Sequence, residues 1–143
     1  MVSSPEETAR RRELEREAPV SRRGIWERFG DRVFLCGTIG AEFDTWQRRL
    51  SATSAADALF SQRIGLDAVE RVMDSLEAEA REKLNAGERL AARKSPGYGN
   101  MPLELSREIV WRLDASKRIG VSVTDSCLLV PSKSVTAICE VER

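Results

Sequence analysis

The chain is 143 residues long, 41% hydrophobic and 32% charged, with a formal net charge of zero. That length suits one domain able to bury roughly two thirds of its unfolded surface, so neither a disulfide nor a metal staple is required. The balanced charge excludes a global electrostatic pull toward nucleic acid or anionic membrane, and the count of zero histidines excludes Ser-His and Cys-His nucleophiles and imidazole ligation of zinc or haem.

Cys36, Cys127 and Cys139 are widely spaced in apolar contexts and read as buried, reduced core residues. No apolar run approaches the roughly 18 residues a membrane helix needs, and no signal-peptide pattern follows Met1, so a cytoplasmic location is expected.

Residues 1–28 form a charged N-terminal arm or helix, because Glu6, Glu7, Arg10 to Glu13 and Glu15 to Glu17 interleave both signs with almost no apolar stripe. The glutamates cancel the field that phosphate contacts need, so no nucleic acid is expected there. Residues 29–143 read as one α+β domain. Val33 to Cys36 is a short buried strand that runs into a turn at Gly37-Thr38-Ile39-Gly40, and Ala41 to Leu50 is a helix with Phe43, Trp46 and Leu50 on one side.

From about Ser54 to Leu84, Phe60, Ile64, Ala68, Val72, Leu76, Ala80 and Leu84 recur every four residues, which predicts a long amphipathic helix. Gly65 interrupts it and implies close packing or a kink, since glycine costs about 1 kcal/mol against alanine in a helix. Glu70 lies at the border of the apolar stripe, whereas Glu77, Glu79, Arg81, Glu82 and Lys83 read as plain solvent charges.

Arg93 to Gly99 asks for special backbone geometry: Pro96 bends Ser95 away from helix, and Gly97 and Gly99 permit positive φ and close approach. A guanidinium at Arg93, bare amides at the glycines and the ring of Tyr98 suit a small ligand with a carboxylate and a ring system. The other reading of this loop is a tight turn between two helices. Asn100 is expected to cap the next helix, with Pro102 and Glu104 in its first turn, Leu105, Ile109, Val110 and Leu113 buried, Lys117 and Arg118 in its last turn, and Gly120 as terminator. Val121 to Val123, Leu128 to Val130 and Ser134 to Val141 have strand character and are expected to form an antiparallel sheet.

The order of these features resembles the activation domain of cobalamin-dependent methionine synthase, as a shortened, stand-alone homologue. The resemblance runs from about Asp31 to Glu140. It rests on Gly37-Thr38-Ile39-Gly40, on Ile64-Gly65 with Ala68-Val69-Glu70, on Arg93-x-x-Pro96-Gly97-Tyr98-Gly99, and on Arg118-Ile119-Gly120-Val121 through Thr124-Asp125-Ser126 to Pro131-x-Lys133-Ser134-Val135. It implies a fold with an antiparallel sheet and packed helices. It also implies S-adenosylmethionine as ligand, presented for reductive remethylation of cob(II)alamin that a partner holds.

Carried over, Arg93 would hold the ligand carboxylate, Pro96, Gly97, Tyr98 and Gly99 would line its adenosyl part, and Glu70 would face its amino or sulfonium end. The resemblance assigns no catalytic side chain and no protein-held metal. The implied partner is a cobalamin-binding methionine synthase or related corrinoid protein, with a flavoprotein reductant left open, and the chain is then one part of a methyltransferase system. A non-enzymatic docking subunit of a corrinoid methyltransferase complex is the alternative. Two departures stand out: Ser61-Gln62 occupies the place where the family often has Leu-Asp, and the arm offers no acidic residue that matches the family's upstream ligand group.

Overall fold

A computed structural model describes residues 4–143. Gly30, at φ 65°, turns strand β1 (Arg23–Phe29) back on β2 (Arg32–Thr38), with Arg23 opposite Thr38 and Phe29 opposite Arg32. The last strand, β6 (Ser134–Glu142), lies antiparallel on the other side of β2, with Arg32 opposite Glu140 and Thr38 opposite Ser134. The two-residue β3 (Arg89–Leu90) completes a four-stranded sheet of order β1-β2-β6-β3.

Successive side chains of β2 point to opposite faces, and both faces are covered. Val33 and Leu35, with Ala137 and Cys139 of β6, pack under α3 (Ala55–Glu82), which is joined by α1 (Pro5–Glu17) and α2 (Ala41–Thr53). Phe34, Cys36 and Ile138 instead face α4 (Leu105–Leu113) and α5 (Ala115–Ile119). The expected α+β class, an antiparallel sheet with packed helices, is the observed one. All three cysteines are buried and unpaired.

The long central helix matches its periodicity. Ser54 caps α3 by accepting from the Asp57 N–H at 3.1 Å, and Ile64, Ala68, Val69, Val72, Met73, Leu76 and Ala80 form its buried stripe. Gly65 permits close packing, because a Cβ there would lie 2.7 Å from Phe43 Cε1 and 2.9 Å from Lys133 Cε. The charged arm is helical, and it docks: Leu14 is fully buried in the core, and the Arg10 guanidinium forks onto the Asp57 carboxylate at 2.7 and 3.1 Å. β1 crosses residue 28, the boundary expected between arm and domain.

Other expectations are corrected. Asn100 caps nothing, because residues 97–105 are held in tight turns: the Gly97 N–H donates to the Met101 carbonyl at 2.9 Å and the Leu105 N–H to the Pro102 carbonyl at 3.1 Å. The helix therefore starts at Leu105. It breaks at Asp114, which adopts left-handed φ 52° and ψ 42°, so Lys117 and Arg118 end a separate short helix that Gly120 terminates at φ 73°.

The C-terminal strands do not pair together either. β4 (Ser122–Val123) and β5 (Leu129–Val130) make their own small ladder, while β6 belongs to the main sheet. β1 and β3 are absent from the sequence reading. No described helix is long and apolar enough to cross a membrane.

Candidate functional site

Lys94 fixes the start of the candidate loop. Its N–H donates to the Ile138 carbonyl at 2.9 Å and its carbonyl accepts from the Ile138 N–H at 2.9 Å, tying the chain just before the Pro-Gly turn to β6. From this anchored backbone the Arg93 side chain reaches α3. Glu70, Asp74 and Glu77 share one face of that helix, since four- and three-residue steps stack side chains along it.

Arg93 Nη1 donates to Asp74 Oδ1 at 2.8 Å and to Glu77 Oε1 at 2.7 Å, and Nη2 donates to Glu70 Oε2. Exposure separates the three acids: the Glu77 side chain is 16% exposed, against 54% for Glu70 and 69% for Asp74. Glu77 is thus the most enclosed of the three, whereas Glu70 and Asp74 reach Arg93 from the solvent side. Burial of Arg93 works against its charge, but the hydrogen bonds it donates to Asp74, Glu77 and Glu70 outweigh that and raise the guanidinium pKa above its ordinary value.

The turn itself is shaped by Gly97 at φ 90° and Gly99 at φ 58°, a region that side chains disfavour. A Cβ on Gly97 would also sit 3.2 Å from Leu103 Cδ1. Pro96 is buried beneath the turn, and the Tyr98 ring stands exposed.

Between this loop and α3 lies a cleft of about 1040 Å³. Glu70, Arg93, Pro96, Tyr98 and Gly99 line it, while Gly97 shapes the turn from outside the lining. The volume is ample for a drug-sized or nucleoside-sized ligand. Leu66 and Val69 of α3 add apolar surface, and Ser134, Val135 and Thr136 of β6 add a partly polar wall.

Three supports of this site escape the sequence reading. Asp74 was not singled out, and Glu77, read as a solvent charge, is in fact the least exposed partner of Arg93. The signal was present as the spacing Glu70-Asp74-Glu77, but it has meaning only once a cation is known to lie opposite. The turn between β4 and β5 places Cys127, Leu128 and Leu129 on the cleft, which nothing local foretells.

Three of the remaining motifs meet beside the same cleft. Lys133 runs its stem past Gly65 and Phe43 and donates from Nζ to Gln47 Oε1 at 3.3 Å, and burial lowers its pKa. Asp44 accepts from Ser132 N at 2.9 Å and from Ser132 Oγ at 2.5 Å. Ser134 Oγ donates to Thr38 Oγ1 at 2.8 Å, and the Ile39 N–H to the Lys133 carbonyl at 3.2 Å. Gly37-Thr38-Ile39, Ile64-Gly65 and Pro131-x-Lys133-Ser134 are therefore one packed unit behind the β6 wall. Among the described residues no cluster of His, Cys, Asp or Glu is arranged to hold a metal ion.

The fold is similar to that of the MetH reactivation domain. The crystal structure of that domain bound to AdoHcy superposes with a TM-score of 0.66 at 14% sequence identity, over 94% of this chain and 63% of that one. The chain thus spans less than two thirds of the length of that domain. No protein-family model matches the sequence, and no curated protein matches it. The likeness establishes a common α+β architecture.

Proposed function

We propose that the chain binds S-adenosylmethionine in the cleft and serves as an activation (reactivation) domain or subunit for a cobalamin-dependent methionine synthase or related corrinoid protein. One observation carries this reading: Glu70 and Arg93, 23 residues apart, meet on one wall of a cleft whose facing loop holds Pro96, Tyr98 and Gly99. A reactivation domain with this fold binds AdoHcy, which supports the same ligand class here.

The chemistry of the site suits that ligand. The lining carries Glu70 beside Arg93 and Lys94, so both signs of charge are at hand for a ligand that bears a carboxylate as well as an ammonium and a sulfonium. Arg93 would orient the carboxylate, Glu70 would face the amino or sulfonium end, and the backbone of Pro96 to Gly99 with the Tyr98 ring would line the adenosyl group. The bound sulfonium supplies an already activated methyl group. What the chain contributes is position, so no general base is needed. The cobalamin belongs to the partner, and a reductant, for which a flavoprotein is suited, completes the system.

Calorimetric titration with S-adenosylmethionine tests this, beside Arg93→Ala and Arg93→Lys. Saturable heat is expected from the wild type, and a loss of about tenfold or more in affinity from each variant, because lysine keeps the charge but not the fork. Absence of heat at millimolar ligand, or equal affinity in the variants, would end the assignment.

A docking subunit without ligand chemistry is the second reading, and it draws on the exposed apolar side chains of Leu66, Leu103 and Leu128 on the lining of the cleft. Retention of a corrinoid protein by wild type and Arg93→Ala alike would favour it.

A further inference from the structure

Arg93 has five N–H donors, and the structure uses them unevenly. Both protons of Nη1 go to Asp74 and Glu77, one proton of Nη2 goes to Glu70, and among the described residues Nε donates to nothing. Nε is therefore the donor left over for a carboxylate that also reaches Nη2, and among the described residues Glu70, which lines the cleft, is the one acid bonded to Nη2. Asp74 and Glu77 lie outside the lining and grip the opposite end of the guanidinium. Glu77 is itself steadied by Arg81, 3.5 Å away one helical turn on.

We propose that Asp74 and Glu77 are positioning residues that hold Arg93 against the cleft, and that the Glu70–Arg93 ion pair is a gate opened by a zwitterionic amino-acid group. This rests on the S-adenosylmethionine reading above. The accounting of ion pairs gives the selectivity. A carboxylate alone that lands on Nε and Nη2 displaces Glu70 and leaves it unpaired beside a second anion. An ammonium alone draws Glu70 away and leaves the fork empty. A ligand that carries both breaks one pair and forms two, so the exchange is favourable only for the zwitterion. A ligand with neither group leaves the gate shut and makes contact with the loop alone.

Two neutral thioethers separate these cases: S-adenosylhomocysteine carries the amino-acid group, and 5′-methylthioadenosine lacks it. The wild type is expected to bind the first at least about tenfold more tightly than the second, as an exchange of one charged pair for two implies. Glu77→Gln is expected to shrink that ratio severalfold and leave the methylthioadenosine affinity unchanged, and Asp74→Asn to act in the same direction more weakly. A purely structural role would weaken both ligands together, and that result would overturn the positioning assignment. Equal affinity of the wild type for the two thioethers, with S-adenosylmethionine still bound, would overturn the gate and leave the ligand reading intact. Failure to bind any of the three compounds would overturn both.

Discussion

Replacing Gly65 with alanine sets two effects against each other, and the structure decides the sign. On helix propensity alone the variant gains about 1 kcal/mol. The new Cβ, however, would lie 2.7 and 2.8 Å from two ring carbons of Phe43 and 2.9 Å from Lys133 Cε, closer than real Cβ atoms approach. The lysine stem can shift. The Phe43 ring cannot do so cheaply, because it is fully buried and packs against Trp46 in a tilted pair with ring centroids 5.3 Å apart. Overpacking of this kind costs about 2–3 kcal/mol at a rigid neighbour, so the net expectation is a destabilisation of about 1–2 kcal/mol. For a domain of this size that lowers the thermal midpoint by about 3–6 °C. Urea or thermal denaturation followed by tryptophan fluorescence reads it directly, with Trp46 beside the lesion. A midpoint that rises would show that the helix and α2 are not in the contact described, and would refute the reasoning.

Acid sensitivity has a specific source in Glu88. Paired hydrogen bonds from Arg28 at 2.7 and 2.8 Å, helped by the Asn85 N–H, hold its pKa down from the ordinary 4.5 to about 2. A folded pKa below the unfolded one contributes stability that is full above 4.5 and lost as pH falls toward 2, so Arg28→Ala should flatten the loss of urea stability across that window. Parallel acid profiles for wild type and variant would contradict this. Burial pushes the thiols of Cys36 and Cys139 up to about 12, and both are fully buried, whereas Cys127 lines the cleft and keeps 8% exposure. Alkylation of the native protein, mapped by mass spectrometry, should therefore label Cys127 well ahead of the other two. Comparable labelling of all three would show that the cores around β2 and β6 open more readily than the packing implies.

Much of the architecture can be read from short-range pattern. The step of four from Phe60 to Leu84 specifies α3, and Ser54 specifies where it starts, because both act within a turn or two of helix. Val33 to Cys36 reads as a buried strand since apolar residues on both faces need cover on both sides, and both faces are covered. The Pro-Gly loop likewise declares its bend through Pro96, Gly97 and Gly99. The candidate site is half legible for the same reason: Arg93 stands out beside the Pro-Gly bend and Glu70 at the border of the apolar stripe, while Asp74 and Glu77 look like ordinary surface acids until Arg93 is seen between them.

What the sequence determined by itself was thus the helices α2 and α3, the buried strand, the buried cysteines and the bend at residues 96–99, each governed by forces that reach only a few residues along the chain. The tertiary structure alone decided which strands became neighbours. It put β6 between β2 and β3, made a strand of two residues at Arg89–Leu90 because β6 offered an edge, and brought Arg93 to three acids of α3. Strand partners and long-range ion pairs depend on what lies across space, and no periodicity along the chain encodes that.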